Sequence, residues 1–208
     1  MGGATWAPIV LRSNLHTARA ARSPWLAIAL VLLFACSLVS LAARQQALDP
    51  DGSPVDPLKE ARGKVVVLVF VRTDCPISNR YAPLIQELSA KYAHEAAFWL
   101  VFPERTASPE NIRAYLHAYG YKLPALRDAE HAWVEKSRVK VTPEAAVFNT
   151  KRELVYHGRI DNLYQDFGRA RRAATTHELA DAIEAASKGV SPRTAGVDGI
   201  GCFIADLK

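Results

Sequence analysis

The sequence predicts an α/β fold, a central mixed sheet flanked by helices, preceded by one apolar segment of transmembrane or signal type. Three observations predict it. Val65–Val71 is an unbroken apolar run rich in β-branched residues, the pattern of a central strand covered on both faces. A helical pattern from about Ile77 to Tyr92 follows almost directly, with Leu84, Ile85, Leu88 and Tyr92 near one face. Later, Glu144–Phe148 and Leu154–His157 flank the turn Asn149-Thr150-Lys151-Arg152, which reads as an antiparallel hairpin.

Composition narrows the class. Half of the 208 residues are hydrophobic and 23% are charged, so the chain is globular and has room for one domain plus extensions. The net charge is +5, yet Lys and Arg are scattered among Asp and Glu. No basic stripe or base-reading motif appears, and a nucleic-acid partner is not expected. Only three cysteines are present, Cys36, Cys75 and Cys202. A disulfide scaffold needs many more, so the fold must rest on an apolar core.

The N-terminal region bears on the compartment. Residues 1–23 form a basic tail, and Pro24 to Ala43 carry no charged side chain. Twenty helical residues span roughly 30 Å, the hydrocarbon thickness of a bilayer. Arg12, Arg19 and Arg22 precede the segment and Arg44 follows it. That bias retains the N-terminus in the cytoplasm and places the remainder outside the inner membrane. Three readings stay open: an uncleaved anchor, a cleaved signal peptide using the small residues Ser40 and Ala42, and a lipoprotein site at Cys36.

The elements then follow in order. Residues 44–62, rich in Pro, Asp and Gly, read as a linker, and 63–188 as the domain. After the first strand and helix, Ala97–Phe102 reads as a second strand. Ser108-Pro109-Glu110 is a helix start, with Ser as N-cap and Pro in the first turn, leading into Asn111–Tyr119. Leu126 marks a short strand and Ala129–Ser137 another helix. The hairpin comes next, and Thr176–Ala186 closes the domain with Leu179, Ala182 and Ile183 on one face. Residues 189–208 read as a Gly-containing tail carrying Cys202.

Cys75 sits between the end of the buried strand and the start of the first helix. Unpaired N–H groups and the helix dipole favour an anion there, so the nucleophilic thiolate is favoured over the thiol. Pro76 suits the first helical turn. Position alone also fits a buried, inert cysteine.

The stretch Cys75-Pro76-Ile77-Ser78-Asn79-Arg80-Tyr81-Ala82-Pro83 resembles the active-site helix of the thioredoxin-like superfamily. In that helix a C-x-x-C pair opens the first turn and a proline follows at a fixed interval. Val141-Thr142-Pro143, followed by the hairpin, resembles the superfamily's cis-proline loop. The length between Cys75 and Pro143 looks like the inserted strand and helix of the redoxin branch. That branch includes relatives of the alkyl hydroperoxide reductase/thiol-specific antioxidant proteins and membrane-anchored thiol–disulfide proteins. The resemblance covers roughly Ser53 to Ala186. It implies a thiol–disulfide oxidoreductase with Cys75 as nucleophile, and Thr142 and Pro143 presenting backbone to a substrate. Its partners would be a protein or small-molecule disulfide and a recycling thiol, with no cofactor and no metal.

The chain departs from the pattern at Ser78, which stands where the second cysteine belongs. Ser78 can donate a hydrogen bond to the thiolate but cannot resolve a mixed disulfide. Cys202, in Gly199-Ile200-Gly201-Cys202-Phe203, is the candidate resolving thiol, on a tail able to swing; a free or structural thiol is the other reading. A peroxidase is the related alternative, but Leu68 and Arg72 stand where peroxiredoxins place Pro and Thr. A copper-handling or peptide-binding module is the non-redox alternative. His94, His117, His131, His157 and His177 show no paired ligand spacing and read as surface or half-buried residues. A fusion of residues 1–50 to a reporter active only outside the cytoplasm is expected to give signal; a silent reporter refutes the exported placement.

Overall fold

The computed structural model describes residues 47–205. The basic tail, the apolar segment 24–43 and Cys36 lie outside the described residues. Among the described residues no helix is long and apolar enough to cross a membrane.

Six strands form the main sheet, in the order β3-β2-β1-β5-β6-β9. β1 (Val65–Phe70) runs parallel to β2 (Ala96–Phe102) and antiparallel to β5 (Glu144–Phe148). β3 (Ala125–Arg127) extends the parallel side, and β6 (Leu154–Gly158) pairs antiparallel with β5 as the hairpin. The sheet is therefore mixed.

Both faces of β1 are covered, which explains its unbroken apolar sequence. Val65, Val67 and Val69 pack into one core with Ile85 and Leu88 of α2 (Pro76–Lys91), Ile112 of α3 (Pro109–Ala118), and Leu179 and Ile183 of α5 (Glu178–Ser187). Val66, Leu68 and Phe70 pack into a second core. Its other members include Leu58 of α1 (Pro57–Glu60) and Trp133 and Val134 of α4 (Ala132–Ser137).

The helix starts follow capping chemistry. Asp56 Oδ1 accepts from Leu58 N–H at 3.0 Å and Ser108 Oγ accepts from Asn111 N–H at 3.2 Å, each just before a proline. α4 begins three residues later than the sequence suggests. His131 takes a left-handed conformation before it, and Asp128 Oδ2 accepts from both Trp133 and Val134 N–H at 2.9 Å. His131 itself is buried, with Nε2 2.9 Å from the Pro103 carbonyl, not a surface or half-buried residue. Its bond to the backbone replaces the lost water.

The two flanks of the domain are more integrated than their composition suggests. In the segment read as a linker, Leu48 N–H donates to Arg127 O and Arg127 N–H to Leu48 O, at 3.2 and 2.7 Å. In the segment read as a tail, β9 (Gly196–Val197) pairs parallel with β6 at the sheet edge. β10 (Cys202–Phe203) pairs antiparallel with β4 (Val141–Thr142), and Ile204 is buried in the second core. A separate hairpin, β7 (Tyr164–Asp166) and β8 (Arg169–Ala170), precedes α5.

α2 is the element that carries Cys75, and Ile85 is its fully buried anchor. Ile85→Ala is expected to destabilise the domain by about 2–5 kcal/mol in urea unfolding; a loss well under 1 kcal/mol would show that α2 is not held by this contact.

Candidate redox site

Cys75 is the N-cap of α2, in extended conformation, with Pro76 at the first helical position. Its side chain makes no capping bond to the helix. It turns inward instead, is fully buried, and its Sγ lies 3.3 Å from the Thr142 carbonyl oxygen as donor. The Thr142–Pro143 peptide bond is cis. Ser78, one turn into α2, is also fully buried, and its Oγ accepts from Arg72 N–H at 3.4 Å. The structure thus brings Cys75, Ser78, Thr142 and Pro143 together at one end of β1.

Cys202 joins them. Its Sγ lies 2.7 Å from Cys75 Sγ, and both cysteines are free thiols. The separation exceeds the roughly 2.05 Å of a disulfide bond but needs only a small shift to become one. Cys202 does not arrive on a swinging tail. Residues 199–204 are fastened along the Lys140–Glu144 loop. Thr142 Oγ1 donates to Cys202 O at 3.3 Å, Ile204 N–H to Lys140 O at 3.1 Å, and Gly199 N–H to Glu144 Oε1 at 2.7 Å. From the other side Arg72 Nη1 donates to Phe203 O at 3.2 Å. Two glycines permit the approach. A Cβ on Gly201 would stand 2.0 Å from the Thr142 carbonyl oxygen, and one on Gly199 2.6 Å from Glu144 Cγ.

The edge expected to receive a substrate strand therefore carries the chain's own strand. Cys75 is consequently covered, whereas Cys202 is partly exposed.

The two thiols differ in acidity. Burial opposes ionisation of Cys75, but the Cys202 thiol and the Ser78 N–H and hydroxyl all favour its thiolate, and its pKa falls below the ordinary value. Cys202 is pushed up to about 12, first by burial, then by its bond to Cys75 and by the charge there. Of the two sulfurs, Cys75 is therefore the one whose ionisation the site favours.

Two acidic residues at the site escape a reading of the sequence. Glu104 has a nearly fully buried side chain, and its Oε1 accepts from the N–H and hydroxyl of Thr73, at 2.9 and 3.1 Å. It fixes the Arg72-Thr73-Asp74 segment that leads into Cys75. Glu144 is buried and accepts from Lys140 N–H at 2.8 Å and Val141 N–H at 3.3 Å, in addition to Gly199. The available signal for Glu144 is an acid opening an otherwise apolar strand directly after Pro143.

A family model described as Redoxin matches residues 42–173. Cys75 and Pro143 lie within the matched residues; Cys202 lies beyond them. Among solved structures, a hypothetical protein from Sinorhizobium meliloti is similar, with a TM-score of 0.65 at 23% identity, covering 76% of this chain and 88% of its own. An uncharacterized conserved protein from Geobacillus kaustophilus is similar with a TM-score of 0.64 at 20% identity, covering 76% and 86%. A secreted Mycobacterium tuberculosis disulfide oxidoreductase is matched with a TM-score of 0.48 at 17% identity, covering 70% and 95%. No curated protein matches the sequence.

Because Ser78 favours the Cys75 thiolate, Ser78→Ala is expected to raise the pH at which that thiolate forms. Thiolate ultraviolet absorbance against pH reads this without needing reagent access to a covered sulfur. An unchanged titration would remove Ser78 from the electrostatics of the site.

Proposed function

The chain belongs to the redoxin family, a thioredoxin-like family, and from that premise we propose that it is a thiol–disulfide oxidoreductase whose redox pair is Cys75 and Cys202. The observation that carries the reading is the 2.7 Å separation of the two free sulfurs.

The chemistry follows from the acidity difference. The Cys75 thiolate attacks one sulfur of a substrate disulfide. A Cys75–substrate bond forms, the substrate S–S bond breaks, and one substrate sulfur leaves as thiolate and takes up a proton. Cys75 no longer carries charge in the mixed disulfide. Two of the influences that hold Cys202 protonated, its bond to the Cys75 sulfur and the charge on it, are then removed. Cys202 loses its proton and attacks Cys75, which releases the second substrate thiol and leaves a Cys75–Cys202 disulfide. The substrate has gained two electrons and the protein has lost two. An external thiol partner returns them.

Access is the other requirement. Cys75 is fully buried beneath the Cys202 strand, so residues 199–204 lift from β4 to admit the substrate and return to resolve it. Thr142 and Pro143 then present backbone to the substrate strand, and Ser78 supports the thiolate. The substrate is a protein or small-molecule disulfide. The domain works outside the cytoplasm, attached through residues 24–43 or released from them by signal cleavage.

Mild oxidation by glutathione disulfide is expected to yield an intramolecular Cys75–Cys202 bond by peptide mass mapping, absent in Cys202→Ser. Cys75→Ser is expected to abolish reduction of a protein disulfide. A Cys202 that stays free under oxidation, with full turnover retained in Cys202→Ser, would instead make the mechanism monothiol. Protection of both thiols only in the presence of copper or zinc would favour metal binding.

A further inference from the structure

We infer that Glu144 is a positioning residue that holds the Cys202 strand over Cys75, with Gly199 as the backbone position it grips. The inference rests on the thiol-pair reading and adds to it the group that sets how strongly the pair favours its disulfide.

A buried carboxylate without a cation beside it is costly unless N–H donors replace its water. Glu144 has three such donors, and they come from two separate parts of the chain. Oε2 accepts from Lys140 and Val141 N–H, within the loop that leads to Thr142. Oε1 accepts from Gly199 N–H, 55 residues away in sequence and three before Cys202. The carboxylate therefore bridges the Thr142–Pro143 loop to the Cys202 strand, one oxygen to each. Hydrogen bonds to an ionised acceptor are about twice as strong as neutral ones.

The geometry on the strand side is specific to glycine. A Cβ at residue 199 would stand 2.6 Å from Glu144 Cγ and 3.0 Å from Oε1. Any side chain there pushes the strand and the carboxylate apart. Between Gly199 and Cys202 the close passage of Gly201 over the Thr142 carbonyl keeps the register. The Cys202 sulfur thus reaches Cys75 because the strand is held at both ends, by Glu144 before it and by Arg72 on the Phe203 carbonyl after it. Intramolecular reaction of two thiols is favoured over reaction with a free thiol in proportion to how well they are held together. Loosening the Glu144 end lowers that advantage without touching either sulfur.

The full chain in detergent, equilibrated with mixtures of reduced and oxidised glutathione, gives the equilibrium constant for the Cys75–Cys202 bond. In that exchange two protein thiols and one glutathione disulfide become one protein disulfide and two glutathione thiols. Glu144→Gln replaces one accepting oxygen by an NH₂ group that faces N–H donors. It is expected to lower the constant about ten-fold or more, the equivalent of one charge-assisted hydrogen bond. Gly199→Ala acts from the strand side and is expected to lower it in the same direction; it decides the matter where Glu144→Gln fails to fold. In a Cys202→Ser background the strand carries no thiol to be placed over Cys75. There Glu144→Gln is expected not to lower the Cys75–glutathione mixed-disulfide equilibrium, because a looser strand only uncovers Cys75. A normal wild-type disulfide with unchanged constants in the folded variants overturns the role of Glu144 alone. An equal fall in the Cys202→Ser background also overturns it, since the effect would then be structural. A wild-type chain that forms no Cys75–Cys202 bond overturns the thiol-pair reading and this role together.

Discussion

The antiparallel pairing of Cys202 and Phe203 with Thr142 and Val141 is the constraint on which the site depends. It joins segments some 60 residues apart, and through Cys202 it reaches a sulfur 127 residues earlier in the chain. Without it, Cys75 is a lone thiol at a helix start with no second sulfur in reach among the described residues. With it, Cys75 is buried, hydrogen-bonded and paired. Closing so long a loop costs little more than closing a short one, because loop entropy rises only with the logarithm of length. What matters is the local fit at the end, and the two glycines supply it.

The pairing also decides which sulfur ionises more readily. Two thiols in contact titrate as a unit, and the first proton leaves from the one whose anion has more donors. Cys75 has donors from Cys202 and Ser78. Cys202 has Arg72 in its favour but Asp74 against it, and Asp74 already holds the guanidinium through two bonds of 3.0 Å. The Arg72–Asp74 pair thus limits how far Arg72 favours a Cys202 anion. The same arginine still reaches the Phe203 carbonyl, so it contributes to the placement of Cys202 more than to its ionisation.

Much of the domain was legible in the sequence, for physical reasons that also mark where legibility ends. β1, α2, the hairpin and α5 declare themselves because their apolar spacing is dictated by burial on known faces. β9 and β10 do not, because each is two residues long and exists only through an edge supplied by another part of the chain. Glycine there reads as flexibility, whereas its use is close approach. Cys75, Ser78, Thr142 and Pro143 were readable as a group from their resemblance to a known motif. Cys202 is readable only as the one remaining partner, and the two-residue pairing that seats it beside Cys75 leaves no mark in the local pattern. Glu144 was hidden for a related reason: its value depends on Gly199, and no local pattern links the two. His131 shows the converse error, a polar side chain buried because one backbone carbonyl satisfies it.

Moving the second thiol off the helix changes what the site has to balance. When both thiols share the first helical turn, the attacking sulfur can stay open to substrate while its partner waits one turn away. In this chain the Cys202 strand lies over Cys75, so proximity of Cys202 and exposure of Cys75 exclude each other. A strand held too tightly would close the site to substrate, and one held too loosely would leave mixed disulfides unresolved. The contacts from Gly199 to Ile204 are few, and they rest on the buried Val141, Thr142 and Glu144 and on Ile204 in the second core. Each net hydrogen bond contributes on the order of 1 kcal/mol, and those to a carboxylate somewhat more. Against them stands the backbone entropy of ordering the same residues, roughly 1–2 kcal/mol apiece. For the proposed exchange the strand has to both lift and return, which requires that these opposing contributions, with the burial of Ile204, lie near balance.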